Sequence, residues 1–149
     1  MKLNDKVERL LMNKPRDVWS VSPQSSVYEA LQVMAEKDIG AVLVIEGGNL
    51  CGVLSERDYA RKVILSGKSS KDTLVEEIMR EVDVVVTPAT SVDECMRHMT
   101  NGRVRHLPVV DRNNVLGIVS IGDLVNWVMS AQEDTIRELH AYVAGEYPR

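Results

Sequence analysis

The sequence is poor in aromatic side chains and in cysteine. Aromatic residues make up 4% of the 149 residues and phenylalanine is absent, so the core must be aliphatic and filled by methionine. The two cysteines are too few and too far apart for a disulfide framework or a CxxC zinc site. No apolar run reaches the length of a membrane span, and the first residues lack the apolar stretch of a signal peptide. We therefore expect a soluble protein of the cytoplasm, without a membrane partner.

The charge balance is slightly acidic. Eighteen lysines and arginines oppose 22 acidic residues, which gives a formal net charge of −4. Because general nucleic-acid binding draws its affinity from a basic surface, a nucleic-acid partner is disfavoured. Hydrophobic residues at 44% and charged residues at 27% are typical of a globular chain that builds its core without disulfides.

The chain contains an internal repeat. A shift of 65 positions aligns residues 21–58 with residues 86–123 without a gap, and more than a quarter of the aligned residues are identical. Each copy predicts a short strand ending at a proline, a serine-capped helix, a strand–turn–strand unit and a second helix. The predicted strands are 18–21, 41–45 and 50–54, then 84–86, 106–110 and 115–119.

These elements divide the chain into two halves. The first repeat is predicted at 7–66, with an N-terminal helix at about 4–13 and a core at 18–66. A connecting segment with a helical turn near 74–79 covers 67–82. The second repeat covers 83–143 and ends in a long helix from 122, and 144–149 form a tail. The predicted fold class is α/β (mixed α+β), with two pseudo-twofold β-α-β-β-α repeats packed through their sheets.

No group of residues in the sequence supports catalysis. The three histidines, His98, His106 and His140, have no second metal ligand at a diagnostic spacing. Both cysteines occupy apolar positions, which favours inert thiols. No glycine-rich phosphate loop or nucleophile elbow is present. We therefore expect neither enzyme activity nor a catalytic cofactor or metal.

One motif, Gly-h-h-Ser-x-x-Asp with h apolar, occurs at 52–58 and again at 117–123. Its simpler interpretation is a capping box, in which the serine oxygen accepts an amide at the start of a helix. Its recurrence at matching positions also places a hydroxyl, a helix N-terminus and a carboxylate together twice. A hydroxyl and free amides suit a phosphate or ribose oxygen, and a carboxylate accepts both hydrogens of a ribose diol.

With these motifs the sequence resembles a tandem pair of cystathionine-β-synthase (CBS) domains over nearly all of residues 7–143. The resemblance also rests on the Pro-ended segments 21–23 and 86–88 and on the runs Ile39-Gly-Ala-Val-Leu-Val and Val104-Arg-His-Leu-Pro-Val-Val-Asp. It implies a stand-alone, non-enzymatic regulatory module that binds AMP, ADP, ATP or NAD(H) in the cleft between the repeats. Ligand that bridges both repeats would shift the population of their arrangements.

The resemblance also implies, by position, which residues hold the nucleotide. Four residues of the two leading strands are expected to flank the adenine: Trp19, Val21, Val84 and Val86. Two segments are expected to form the lips of the cleft: Ile39, Gly40 and Ala41 in one copy, and Val104, Arg105, His106 and Pro108 in the other. The remaining contacts are expected to ribose and phosphate: Ser55, Arg57, Asp58, Ser120 and Asp123.

Some of these residues, and the function itself, admit a second interpretation. Trp19 beside its proline turn fits core packing as well as stacking on adenine. Arg61 and Lys62 fit a solvated helix face as well as a phosphate site. The alternative function is a protein-interaction or homodimerisation module with vestigial nucleotide sites, acting on an unidentified regulated protein. The last helix would then present apolar residues to the partner: Leu124, Val128, Ile136, Leu139 and Val143.

Overall fold

A computed structural model describes residues 2–13 and 18–143, with all of their side chains except those at 2, 131, 134, 135, 138, 142 and 143. The predicted tail at 144–149 lies outside this part of the chain. The helices are α1 (Val7–Met12), α2 (Val27–Lys37), α3 (Glu56–Tyr59), α4 (Val75–Ile78), α5 (Val92–Gly102) and α6 (Ile121–Val143). A 3₁₀ turn, Lys2–Asn4, precedes α1, and a π-helical segment, Ala60–Ile64, continues α3. The strands are β1 (Ser20–Val21), β2 (Ala41–Glu46), β3 (Asn49–Ser55), β4 (Arg80–Glu81), β5 (His106–Asp111) and β6 (Asn114–Ser120).

The two helices that open the repeats begin and end in the same way. The Ser26 and Ser91 hydroxyls each accept the backbone N–H three residues later, at 3.1 Å, as expected of an N-cap. Both helices stop at a residue in the left-handed conformation, Asp38 with φ 53° and Arg103 with φ 52°. The predicted helices of the repeats are therefore confirmed. The N-terminal helix is shorter than predicted, and none of the described helices is long and apolar enough to span a membrane.

The strands form two sheets of unequal size. The first has the order β1-β2-β3-β4, with β1 parallel to β2 and the other pairs antiparallel. The second consists of the β5–β6 hairpin. Gly52 in β3 allows β4 to approach, because a Cβ there would lie 2.6 Å from the Arg80 carbonyl oxygen. The connecting segment thus supplies an edge strand that the sequence did not predict.

The prediction of a strand at 84–86, at the start of the second repeat, is wrong. An isolated parallel bridge joins Val86 to Val109 instead. In the first repeat the Leu43 N–H donates to the Trp19 carbonyl at 3.3 Å and extends the pairing. The residue 65 positions after Leu43 is Pro108, which has no N–H to donate to Val84. The missing N–H of Pro108 explains why the pairing between Val86 and Val109 does not extend into a strand.

The helix that precedes each repeat in the sequence packs in the core of the other repeat. The buried residues Val7 and Leu10 of α1 belong to the core of the second repeat, beside Val92 and Leu107. Conversely, α4 of the connecting segment packs in the core of the first repeat. The predicted bounds group α1 with the first repeat by sequence, whereas its apolar face completes the second core.

Hydrogen bonds show that α1 and α4 are equivalent elements. The Val7 N–H donates to Thr90 O and the Val75 N–H donates to Ser25 O, both at 2.8 Å. The next amide in each helix, at residues 8 and 76, donates to Pro88 O and Pro23 O, both at 3.0 Å. A shift of 68 positions therefore relates the starts of these two helices, whereas their ends differ, because α4 stops at Ile78 and α1 continues to Met12.

The long helix α6 has one buried face and one exposed face. Leu124 is fully buried in the second core and Val128 is half-buried against it. The expectation that Leu124 faces a partner is therefore wrong, because its position in the turn points it at the sheet. Ile136 and Leu139 are exposed as expected, and the Val143 side chain lies outside the described residues.

Candidate functional site

Two clefts of similar size open between the repeats, each next to one copy of the Gly-h-h-Ser-x-x-Asp motif. The Asp58 cleft has a volume of about 700 Å³ and contains Ser55 and Asp58. The Asp123 cleft has a volume of about 780 Å³ and contains Ser120 and Asp123. Both volumes lie in the range of small-molecule sites.

Each cleft combines the motif of one repeat with the leading segment and lip of the other. In the Asp58 cleft, the first repeat's motif faces Val84 and the lip at 103–108. In the Asp123 cleft, the second repeat's motif faces Trp19 and the lip at 39–41. Gly40 and His106 line both clefts, at the place where the two meet. Any ligand that fills a cleft therefore touches both repeats.

The first motif forms a complete capping box. The Ser55 hydroxyl accepts the Asp58 N–H at 3.2 Å, and Asp58 Oδ2 accepts the Ser55 N–H at 3.1 Å. The Ser55 hydroxyl also lies 2.9 Å from the same carboxylate oxygen. This pairing begins α3 at the end of β3 and holds the carboxylate at the mouth of the cleft.

The second motif forms the same box at the start of α6. Asp123 Oδ2 accepts the Ser120 N–H at 2.8 Å, and the Ser120 hydroxyl accepts the Asp123 N–H at 3.1 Å. The capping interpretation is therefore correct for both copies. It is compatible with ligand binding, because a carboxylate has two oxygens and each capping box uses Oδ2.

Two cations hold the remaining oxygen of Asp58. Arg80 Nε lies 3.4 Å and Lys62 Nζ lies 3.7 Å from Asp58 Oδ1, and the Asp58 side chain is only 5% exposed. Lys62 is itself fixed, because its Nζ donates to the Ile78 carbonyl at 3.0 Å. Arg80 also reaches the other repeat, where its Nη1 donates to the Arg103 carbonyl at 3.5 Å. Arg80 of the connecting segment thus joins the Asp58 carboxylate of the first repeat to the Arg103 carbonyl of the second.

The Asp58 cleft is rich in positive charge. Six cationic side chains from the two repeats and the connecting segment line it, Arg57, Arg61, Lys62, Arg80, Arg103 and Arg105, beside four acidic ones, Glu56, Asp58, Glu81 and Asp83. Arg105, then Arg61, lower the pKa of the Arg57 guanidinium below its ordinary value because like charges face one another. Arg57 is exposed and forms no ion pair with another residue in the part of the chain that the structure describes. Such a cluster suits an anion that reaches across the repeats.

The Asp123 cleft has the opposite character. It is lined by three acidic residues, Glu8, Asp38 and Asp123, and by one lysine, Lys37. Lys37 Nζ lies 4.1 Å from the centre of the Trp19 ring, over one face of it. Trp19 is 37% exposed, so its ring is not enclosed in a core and part of it faces the cleft.

Most of the predicted site residues line one of the clefts. In the Asp58 cleft these are Gly40, Ser55, Arg57, Asp58, Val84, Val104, Arg105, His106 and Pro108. In the Asp123 cleft they are Trp19, Ile39, Gly40, Ala41, His106, Ser120 and Asp123. Val21 and Val86 line neither of these clefts, because they pack against the two cores.

Sequence reasoning missed the residues that lie outside the repeat alignment. Arg80 comes from β4, and no local sequence pattern predicts that β4 pairs with β3. Lys37 lies at the end of α2, and Glu8 comes from α1, which was grouped with the other repeat. The Val-Glu pair that opens both α1 and α4, 68 positions apart, is the sequence signal that relates these two segments.

A metal site or a reactive thiol in residues 2–13 and 18–143 would support a different chemistry. No group of three or more histidine, cysteine or acidic residues there is placed to hold a metal ion. Burial raises the pKa of the Cys95 thiol to about 11, which keeps it protonated and unreactive.

Comparisons with known proteins agree with this architecture. A family model described as CBS domain matches residues 7–64 and 75–130. The chain is 41% identical over 127 residues to the mitochondrial CBS domain-containing protein CBSX3 of Arabidopsis thaliana, covering 82% of this chain and 62% of that protein. It thus spans less than two thirds of that relative. It is 37% identical over 107 residues to CBS domain-containing protein YhcV of Bacillus subtilis, covering 72% and 76% of the two chains.

A solved structure extends the comparison to three dimensions. A CBS-domain protein from Burkholderia ambifaria superposes with a TM-score of 0.81 at 48% identity, covering 85% of this chain and 96% of that one. Each family match contains one copy of the aligned repeat, 21–58 in the first match and 86–123 in the second. The chain therefore belongs to the CBS-domain family and carries two CBS domains in tandem.

Proposed function

We propose that this chain is a non-enzymatic regulatory module that binds adenine nucleotides in the clefts between its CBS domains. The observation that carries the proposal is the Asp58 cleft. There a capping-box carboxylate from one repeat faces a cluster of arginines from both repeats, across a space of about 700 Å³. A carboxylate suits the ribose hydroxyls, and the guanidinium groups suit the phosphates.

The arrangement also supports a mechanism of regulation. A nucleotide in the Asp58 cleft contacts α3 of the first repeat and the 103–108 lip of the second repeat together. It therefore favours whichever arrangement of the repeats brings these groups within reach. AMP, ADP, ATP and NAD(H) are the candidate ligands, and the regulated partner and a cytoplasmic location remain predictions.

Isothermal titration tests the binding. We expect heat of binding with at least one of AMP, ADP, ATP and NADH at millimolar concentration or below. Asp58→Asn and Asp123→Asn keep an oxygen for the serine N–H but remove the charge, so each is expected to weaken binding at its own cleft. Asp93→Asn, in an exposed pair with Arg97, is the matched control. The proposal fails if the unaltered protein binds none of the four nucleotides, or if it turns one of them over.

A second function, homodimerisation, is favoured by one face of α6. Five exposed apolar side chains lie on it: Ile121, Val125, Met129, Ile136 and Leu139. At about 100° per residue these positions fall within roughly 80° of one another, so they lie in a stripe on one side of the helix, with Gln132 between Met129 and Ile136. A second copy of the chain would cover this stripe in a symmetric interface.

Sedimentation tests the dimer. Val125→Glu places a charge in the middle of the stripe, and we expect it to lower the mass in solution from that of a dimer to that of a monomer. Asn126→Glu is the matched control, because residue 126 is exposed and points away from the stripe. A dimer that survives Val125→Glu, or an unaltered protein that is a monomer, would refute this interface.

A further inference from the structure

The Asp58 cleft already contains a guanidinium group where a nucleotide is expected to bind. Arg80 Nε lies 3.4 Å from Asp58 Oδ1, and its Nη1 donates to the Arg103 carbonyl at 3.5 Å. Asp58 Oδ2 is taken by the capping box with Ser55. A ribose diol that approaches this carboxylate must therefore compete with Arg80 for Oδ1.

Arg80 is the cation at Oδ1 that can leave. Lys62 is farther from this oxygen, at 3.7 Å, and its Nζ is fixed by the Ile78 carbonyl at 3.0 Å. The Arg80 side chain is 47% exposed, and both of its contacts are long for hydrogen bonds. Lys62 remains as a counter-charge for Asp58 when Arg80 swings into the cleft.

A displaced Arg80 needs an anion. The cleft into which it would move contains Arg57, Arg61, Arg103 and Arg105, whose like charges repel a further guanidinium, and these outnumber the other carboxylates of the lining, Glu56, Glu81 and Asp83. A nucleoside without phosphates breaks the Arg80–Asp58 pair and supplies no replacement. A nucleoside di- or triphosphate replaces it with a stronger, charge-assisted pair.

The other cleft provides an internal comparison. The residue 68 positions before Arg80 is Met12, which ends α1, lines the Asp123 cleft and is 75% exposed. A methionine cannot pair with a carboxylate or a phosphate. Among the residues that the structure describes, the lining of the Asp123 cleft contains no arginine, so the effect of changing Arg80 on phosphate binding is specific to the Asp58 cleft.

We propose that Arg80 makes the Asp58 cleft selective for adenosine di- and triphosphates over adenosine, by holding Asp58 until a phosphate chain takes the guanidinium over. This inference rests on the proposed function and adds the ligand class of this cleft. It assigns to Arg80 opposite effects on two ligands: it obstructs adenosine and it binds the phosphates of ADP.

The test compares ADP and adenosine on Arg80→Met. Titrations are made in an Asp123→Asn background, so that the Asp58 cleft dominates the measured heat. We expect the affinity for ADP to fall at least about tenfold. Adenosine is expected to bind as well as before or more tightly, so that the ratio of the two affinities collapses. Arg97→Met, which removes an exposed arginine paired with Asp93, is expected to leave both affinities unchanged.

The outcomes separate this inference from the proposed function. If Arg80→Met weakens ADP and adenosine equally, or changes neither, Arg80 is a structural residue and the inference is wrong although the nucleotide site stands. If the unaltered protein binds neither ligand, the proposed function itself fails. Melting temperature and circular dichroism of Arg80→Met report whether the variant is folded. If it is not, Arg80→Lys, which keeps the charge but loses the guanidinium fork, is used and is expected to lower the ADP-to-adenosine ratio partially.

Discussion

Truncating Leu10 tests the packing of α1 in the second core. Leu10 is 3% exposed and lies in one cluster with Val92, Cys95 and Met99 of the second repeat. A buried Leu→Ala change costs about 2–5 kcal/mol through lost burial and the cavity left behind. An unfolding entropy of about 2.1 cal/mol/K per residue gives ~0.3 kcal/mol/K for 149 residues. Leu10→Ala is therefore expected to lower the melting temperature by roughly 6–16 °C.

Met12→Ala is the matched control for this prediction. Met12 lies in the same helix, two residues later, but is 75% exposed. Its truncation is expected to change the stability by no more than about 0.5 kcal/mol, or roughly 2 °C. Melting temperatures are read by circular dichroism on both variants and on the unaltered protein.

Hydrogen exchange then shows which repeat is weakened. In Leu10→Ala the amides of α5, β5 and β6 are expected to exchange faster, whereas those of β2 and β3 change less. Two results would refute the reasoning. One is an equal loss of stability in Leu10→Ala and Met12→Ala. The other is faster exchange confined to the first repeat, which would place α1 where the chain order suggests.

Two further predictions concern single positions in the sheets and the core. Gly52→Ala places a Cβ 2.6 Å from the Arg80 carbonyl oxygen and is expected to lower the free energy of unfolding by about 1–3 kcal/mol. At the equivalent Gly117 a Cβ meets its nearest atom at 3.5 Å, so Gly117→Ala is expected to change this energy by less than about 1 kcal/mol. Equal effects of the two variants in chemical denaturation would contradict this prediction. Burial raises the pKa of the Cys95 thiol to about 11, so iodoacetamide at pH 8 is expected to modify Cys95 only after unfolding, but the half-buried Cys51 already in the native protein. Mass spectrometry reads the labelling, and modification of both cysteines at one rate in the native protein would show that Cys95 is accessible.

The features that follow from sequence are those decided by a few neighbouring residues. Ser26 and Ser91 mark helix starts because the cap needs only a hydroxyl and an amide three residues away. The hairpins follow from apolar runs around turn residues. The repeat shift then places the two capping carboxylates in equivalent positions, which is why most predicted site residues do line a cleft.

The features that could not be predicted depend on partners distant in the chain. The apolar face of α1 identifies a buried helix, but nothing in its residues says which of two similar cores it completes. Pro108 shows how one missing N–H removes a strand that the symmetry of the repeats predicts. Arg80 reaches Asp58 only because β4 pairs with β3, so its position in the cleft depends on the register of this strand pair.

The crossed packing of α1 and α4 sets an order of events during synthesis. The first core is complete once Ile78 has left the ribosome, because its strands and α4 are contiguous in the chain. The second core joins Val7 to Leu124, which are 117 positions apart (124 − 7). At about 5–20 residues per second, Val7 waits roughly 6–23 s for that partner. During this interval the nascent chain carries one folded CBS domain. The apolar segment of α1, on its N-terminal side, is not yet covered by its own core and must avoid contacts with other chains.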